Sequence, residues 1–257
     1  MIKRLSGIGT LALIFGLIGM TAGCSGGGDN FVPTGNKLFH YYCADCHGVD
    51  GKGDGYNAKN LDIEPRDLTD SVEKNLGDLT NDEIFASVSR DLNDPDGPAI
   101  VSLMPTFKYT LSEAEIWSII AYIRTLHPNN APEIKLLPEM KRKRPRFARI
   151  RNVDIDPVAL KDKKLIAQGK ELFEDTYGCK TCHSIGGEGG RIGPNLDRAG
   201  FMSNADWLYR WVKHPQGFDP RTKMPTLGLT DKDAMAVVAY VKSLQAPRVK
   251  TPVAAAK

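Results

Sequence analysis

The sequence predicts an all-α protein built from two tandem helical domains that are joined by a Pro-rich basic linker. Residues 43–47 and 179–183 carry the same Cys-x-x-Cys-His pattern, and similar segments flank both copies. Apolar residues recur at helical spacing in each half, and neither half contains a convincing alternation of apolar and polar residues. We therefore expect helical domains at residues 35–127 and 161–246, a linker at residues 128–160 and a short tail at residues 247–257.

The first 24 residues are predicted to be an export signal. A basic start is followed by an apolar run of 14 residues that ends at Met20, which is short for a membrane span. Small residues then lead to Cys24, which resembles the lipobox of bacterial lipoproteins except that Thr21 replaces the usual aliphatic residue. We expect Cys24 to be acylated, with ordinary cleavage or an uncleaved anchor as alternatives, and residues 25–34 to form a flexible tether.

A short first helix is expected to end at each Cys-x-x-Cys-His motif. Gly35 and Phe39 precede the first motif as Gly169 and Phe173 precede the second. A middle helix should follow in each half, since Ser or Thr stands three positions before an acidic residue at Thr80–Glu83 and Ser203–Asp206.

The last helix of each half is the most regular element of the repeat. Met-Pro-Thr occurs at residues 104–106 and 224–226, shortly before capping patterns at Ser112–Glu115 and Thr230–Asp233. An apolar stripe then follows in each half, formed by Ile116, Ile119, Ile120 and Ile123 and by Ala234, Val237, Val238 and Val241.

Charge is divided unevenly along the chain. The net charge is −8 over residues 35–127, +4 over residues 128–160 and +6 over residues 161–257. This division predicts different docking partners for the two domains. The alternatives are that charge only keeps each domain soluble, or that opposite charges hold the two domains together. The basic run from Lys141 to Arg151 could lie on anionic lipid or an acidic partner, although a solvated connector is the favoured interpretation.

The cysteine pattern indicates covalent haem attachment. Cys43 and Cys46 precede His47, and Cys179 and Cys182 precede His183. Two thiols on one helical turn can each add to a haem vinyl group, and the adjacent imidazole can then bind the iron. A zinc site would need both cysteine pairs to converge, although they belong to separate repeats, and a thioredoxin-like dithiol would need flanking strands. Two haem c groups are therefore expected.

Both halves resemble class I c-type cytochrome domains. In that family the first helix ends in the Cys-x-x-Cys-His motif and crosses the last helix, and a loop methionine binds the second face of the iron. The resemblance implies that His47 and His183 are proximal iron ligands, and that Met104 and Met224 are distal ligands.

The resemblance also implies a role for a proline after each motif. Pro194 matches the residue whose carbonyl orients the proximal histidine. The first half departs from the pattern, because Pro65 and Arg66 lie farther after the first motif than Pro194 lies after the second. Pro65 is the candidate whose carbonyl orients His47, and Arg66 is a candidate partner for a haem propionate. Met202 competes with Met224 as a ligand. Other histidines are expected to have surface or capping roles, namely His40, His127 and His214.

His/Met ligation implies an electron carrier rather than an enzyme, because both axial positions of the iron are filled. We expect electron transfer between redox proteins of a respiratory chain, on the periplasmic side of a bacterial membrane. The alternatives are a nondiffusing haem subunit of a quinol-oxidising or terminal oxidase complex, and a dihaem peroxidase. Neither nucleic acid nor a small-molecule substrate is an expected partner.

Overall fold

The computed structural model describes residues 31–69, 76, 79–94, 104–126, 134, 139–141, 143–146, 150 and 152–244. The described residues form two helical halves, and both belong to one compact unit that begins at Phe31. The all-α prediction is confirmed, since these residues are largely helical and contain only one minimal sheet. Cys24, residues 25–30, His127 and the tail lie outside the described residues.

The first half contains the helices α1 (Phe31–Tyr42), α2 (Ala44–His47), α3 (Asn81–Val88) and α4 (Glu113–Leu126). Helix α1 therefore starts four residues before the expected domain boundary, and residues 31–34 are helical rather than part of a tether.

The second half contains the helices α5 (Lys163–Glu171), α6 (Ala199–Met202), α7 (Ala205–Lys213) and α8 (Asp231–Ser243). A π-helical turn and a 3₁₀ turn, Leu172–Thr176 and Cys179–Thr181, carry the chain from α5 into the second motif. Directly after this motif lie two strands that the sequence did not predict, β1 (Ser184–Ile185) and β2 (Glu188–Gly189), which pair antiparallel. Two-residue strands are too short to show an alternating pattern.

The first and last helices of each half pack closely, α1 against α4 and α5 against α8. A Cβ atom added to Gly35 would lie 1.8 Å from the carbonyl oxygen of Ser118, and one added to Gly169 would lie 1.9 Å from that of Ala236. Only glycine therefore permits these two backbones to approach so closely. The predicted apolar stripes face inward and form the centres of two hydrophobic cores, one in each half.

Three of the four predicted helix caps are present. The Thr80 and Glu83 side chains form a reciprocal capping box at α3, and those of Ser112 and Glu115 do the same before α4. Helix α8 begins directly after the predicted cap Thr230, whose side chain accepts the Asp233 amide hydrogen.

The Ser203 cap is wrong by one residue. Helix α7 is capped by Asn204, whose Oδ1 accepts the Trp207 amide hydrogen at 2.6 Å. Asp206 cannot reach back to a Ser203 cap because it accepts a hydrogen bond from the Val153 amide at 2.7 Å and pairs with Arg210. A contact with a distant segment thus decides between two adjacent side chains that are both good caps.

The interpretation of residues 128–160 as a solvated connector is wrong for part of the described segment, although most of its described residues are exposed. Ile155 and Leu160 are buried in the core of the second half. Nearer its start, Arg144 forms an ion pair with Glu115 at 2.8 Å, and the Lys141 carbonyl accepts the Ala114 amide hydrogen at 3.1 Å. The segment therefore packs on both halves, which its proline and charge content did not reveal.

Candidate functional site

The first motif forms one tight turn at the junction of α1 and α2. The Cys46 and His47 amides both donate to the Cys43 carbonyl, at 3.1 and 2.9 Å, so the two thiols and the imidazole project from the same turn. Burial raises the pKa of the Cys43 thiol to about 12 and raises that of Cys46 as well. Both groups are therefore protonated, uncharged thiols at neutral pH.

The second motif repeats this turn in a different helical context. The Cys182 and His183 amides donate to the Cys179 carbonyl at 3.1 and 3.0 Å. Burial raises the pKa of Cys179 to about 12 and that of Cys182 to about 11. The same backbone geometry therefore arises in both halves from one local sequence pattern.

Each motif histidine is oriented by a backbone carbonyl. His47 Nδ1 lies 3.0 Å from the Arg66 oxygen, and His183 Nδ1 lies 2.8 Å from the Pro194 oxygen. A carbonyl can only accept, so Nδ1 carries the proton in each ring, and burial lowers the pKa of both histidines. The neutral rings therefore keep a lone pair on Nε2, the atom that can bind iron.

Pro65 is not the orienting residue of the first half. The spacing from His47 to its carbonyl partner is eight residues longer than in the second half, and the hydrogen bond reaches Arg66, the residue after Pro65. The Pro65 carbonyl instead lies against Gly53, where an added Cβ would come within 2.4 Å of it. Arg66 therefore contributes its backbone here, and a role of its side chain toward a propionate stays a prediction.

A cavity of about 440 Å³ brings the predicted residues of the first half together, a volume in the usual range for ligand sites. Its lining includes Cys43, Cys46, His47, Pro65, Arg66 and Met104. The Met104 carbonyl accepts a hydrogen bond from the partly buried guanidinium of Arg90, which fixes the loop that carries the methionine.

In the second half, the sulfur of Met224 lies at the end of a short polar network. Trp211 Nε1 donates to Met224 Sδ at 3.0 Å, and Gln216 Nε2 donates to the Met224 carbonyl at 2.5 Å. Met202, the competing methionine, is 74% exposed on α6. This placement favours Met224 over Met202 as the residue held for a buried cofactor.

The model of the family described as Cytochrome c matches residues 32–127 and 166–245, which is more than half of the chain. The chain belongs to the cytochrome c family. Cytochrome c2 of Afifella marina is 28% identical over 113 residues, which cover 34% of this chain and 89% of that protein. Cytochrome c of Stellaria longipes is 30% identical over 97 residues, which cover 29% of this chain and 88% of that protein.

Among solved structures, a chain of a reducing HAO-like protein complex from Kuenenia stuttgartiensis is 20% identical, with a TM-score of 0.29. The match covers 83% of this chain and 96% of that chain.

Membership in the cytochrome c family makes this a haem electron-transfer protein, because covalently attached haem c is the family's cofactor. No helix among the described residues is long and apolar enough to cross a membrane.

The residues of this cytochrome fit haem c better than a bare metal ion. Each half offers two partly buried thiols for covalent attachment and one neutral imidazole for iron. Within the described part of the chain, no group of three or more His, Cys, Asp or Glu side chains is arranged to hold a metal ion.

The separation of the two motifs along the chain is a poor guide to their separation in space. Several residues of the second half line the first cavity, namely Thr181, Cys182, Ile192, Lys223 and Pro225. Asn57 Nδ2 lies 3.5 Å from Cys46 Sγ and donates to the Thr181 carbonyl at 2.8 Å, which shows that the two motifs are neighbours. The two cysteine pairs therefore approach each other without forming a metal site.

Some residues of the site were missed by the sequence analysis. Arg90, Trp211 and Gln216 hold the Met-Pro loops, and Asn57 lies between the two motifs. These residues belong to no short motif. Only the repeat offered a signal, since Arg90 and Gln216 each precede a Met-Pro-Thr sequence and donate to its methionine carbonyl.

Proposed function

We propose that this protein is a dihaem c-type cytochrome that carries electrons between redox partners of a respiratory chain, on the periplasmic side of a bacterial membrane, with Cys24 as its lipid anchor. The observation that carries the proposal is the repeated motif geometry. In both halves a single turn presents two partly buried thiols and a neutral histidine whose Nδ1 donates to a carbonyl.

The two cysteine pairs would each hold one haem c, which supplies a one-electron iron couple when bound. Cys43 and Cys46 attach one group, and Cys179 and Cys182 attach the other. His47 and His183 would bind the iron through Nε2, since their Nδ1 atoms are engaged. The carbonyl hydrogen bonds also fix the planes of both rings, so neither imidazole must reorient during electron transfer.

Met104 and Met224 are proposed as the distal ligands. Met104 lines the same cavity as His47, and a side-chain donor holds the backbone of each methionine, Arg90 in the first half and Gln216 in the second. A thioether held on each loop would fill the second axial position. Filled axial positions favour an electron carrier over a peroxidase, which needs an open position on one iron.

The function is tested by reductive titration of the purified protein without oxygen. We expect two electrons to be taken up per chain, with reduced bands of the c type, and to be fully returned to an added oxidant. Hydrogen peroxide should be consumed no faster than by free haem at the same iron concentration. Rapid peroxide turnover, with uptake of electrons by one low-spin haem only, would instead establish a dihaem peroxidase.

A further inference from the structure

Asn57 is fully buried between the two attachment motifs although it belongs to neither. Its side-chain Nδ2 donates to the Thr181 carbonyl at 2.8 Å, inside the second motif, and lies 3.5 Å from the sulfur of Cys46 in the first motif. Its Oδ1 accepts the Arg191 amide hydrogen at 2.8 Å. One amide side chain therefore binds both motifs at once.

The backbone around Asn57 is tied to the first motif as well. The Asn57 amide donates to the Asp45 carbonyl at 2.9 Å, and the nearby Gly55 amide donates to the Cys46 carbonyl at 3.1 Å. The first motif therefore sets the position of the Asn57 side chain. The hydrogen bonds of that side chain with Thr181 and Arg191 then fix these residues of the second half relative to the first motif.

Ion pairs flank this contact. Lys223 lies 2.8 Å from the carboxylate of Asp45, which is within the first motif, and Lys180 of the second motif lies 3.5 Å from Asp62. The Asp45 side chain is only 15% exposed, so its attraction to Lys223 is less screened than that of a surface pair. Both pairs join one half to the other.

We propose that Asn57 is a positioning residue that fixes the two haem-attachment motifs against each other, so that the two sites exchange electrons within one chain as a coupled pair. This inference rests on the proposed dihaem function. In the exchange, the iron held by one histidine passes from ferrous to ferric and the iron held by the other passes from ferric to ferrous. No bond forms or breaks, and no proton moves.

The contacts also provide a short connection between the two attachment points. Cys46 Sγ is hydrogen-bonded to Asn57 Nδ2, and Asn57 Nδ2 is hydrogen-bonded to the Thr181 carbonyl, which is one peptide bond from Cys182. A buried amide with satisfied donors and acceptors has one favourable orientation, because any rotation would leave polar groups unpaired. The spacing between the two sites is therefore held constant.

The full chain with both haems attached allows the coupling to be measured directly. In the oxidised protein each low-spin ferric iron carries one unpaired electron, and we expect the electron paramagnetic resonance signals to be broadened by mutual interaction. After a pulse that delivers less than one electron per chain, we expect equilibration between the sites at a rate that does not depend on protein concentration.

Asn57→Asp is the matched variant, since it keeps the size of the side chain and the acceptor for Arg191 but loses the donor to Thr181 and Cys46. We expect the internal rate to fall by about tenfold or more and the broadening to weaken. Asn93→Asp is the control, because Asn93 also crosses between the halves, with Gly228 and Tyr177 as hydrogen-bond partners. It should leave both readouts unchanged.

Three results would overturn the inference. One is an Asn57→Asp protein that carries two haems and retains the wild-type rate and broadening. Another is an equal loss in Asn93→Asp. The third, which needs no variant, is a wild-type protein with two haems whose signals do not interact and whose sites equilibrate only through collisions between molecules. In each of these cases the dihaem function survives, whereas a wild-type chain with a single haem would contradict that function itself.

Discussion

At the scale of single residues, hydrogen bonds donated by the ring Nδ1 atoms decide what the motif histidines can do. His47 and His183 follow their cysteines directly, so the sequence alone indicates their chemistry. Their orientation could be predicted only in part. Pro194 lies 11 residues after its histidine, whereas the first half inserts additional residues that move the hydrogen bond from Pro65 to Arg66. The Cys-x-x-Cys-His pattern therefore identifies the histidine ligand, whereas the residue whose carbonyl orients that histidine depends on the geometry of the following loop.

Substitution of the two loop methionines tests their role as ligands. Met104→Ala and Met224→Ala should each remove about half of the weak near-infrared sulfur-to-iron band of the oxidised protein, because each removes the thioether of one site. The measurement is the absorbance of the purified variant, normalised to its haem content. Met202→Ala is the control and should leave the band intact, since Met202 is 74% exposed. A full band in both loop variants would assign the distal position to other residues.

At the scale of secondary-structure elements, the crossings of α1 with α4 and of α5 with α8 were expected from the resemblance to class I c-type cytochromes, and the structure shows that both crossings need glycine. Capping patterns also predicted the starts of α3, α4 and α8. The start of α7 was not predictable, because Ser203 and Asn204 are both suitable caps and the choice depends on what Asp206 contacts. Sequence patterns thus fail where a segment distant in the chain competes for the same side chain.

Replacing either crossing glycine should destabilise its half. Gly35→Ala or Gly169→Ala places a methyl group less than 2 Å from a carbonyl oxygen of the facing helix. The helices must separate, and we expect a loss of about 3 kcal/mol in the free energy of unfolding, despite the better helix propensity of alanine. Denaturant titration measures this loss. Asn36→Ala, at an exposed position of α1, should change stability little, and equal effects of Gly35→Ala and Asn36→Ala would contradict the close crossing.

The attachment of residues 152–160 to α7 should depend on pH through Asp206. Hydrogen bonds from Arg210 lower the pKa of this carboxyl, as does the bond from Val153, so the folded state favours its charged form. Its stabilising effect is therefore present above about pH 4 and is lost as pH falls further. Asp206→Asn should cost about 1 kcal/mol at pH 7.

Unfolding free energies between pH 3 and pH 7 test this effect. The difference between the wild type and Asp206→Asn should shrink toward zero at the acid end. Glu188→Gln, at an exposed position, is the control for the loss of one negative charge. A difference that stays constant with pH would show that the charge of Asp206 contributes nothing to the attachment.

At the scale of the whole molecule, the division of charge takes on a different meaning. The sequence predicted different partners for the acidic and basic domains, with mutual attraction of the two domains as an alternative. Ion pairs now join the halves at Asp45 and Lys223 and at Asp62 and Lys180, which supports mutual attraction. This packing could not be predicted, because each contact joins residues more than 100 positions apart and no motif contains both partners.

The number of haems that stay bound to the denatured chain decides whether this protein is a dihaem c-type cytochrome. Thioether bonds survive unfolding, so intact-mass measurement under denaturing conditions should give the mature chain plus two haems. Cys46→Ser and Cys182→Ser should each weaken retention in one site only, and pyridine haemochrome spectra should be of the c type. A wild-type chain that loses all haem on denaturation, or that retains only one, would contradict the account.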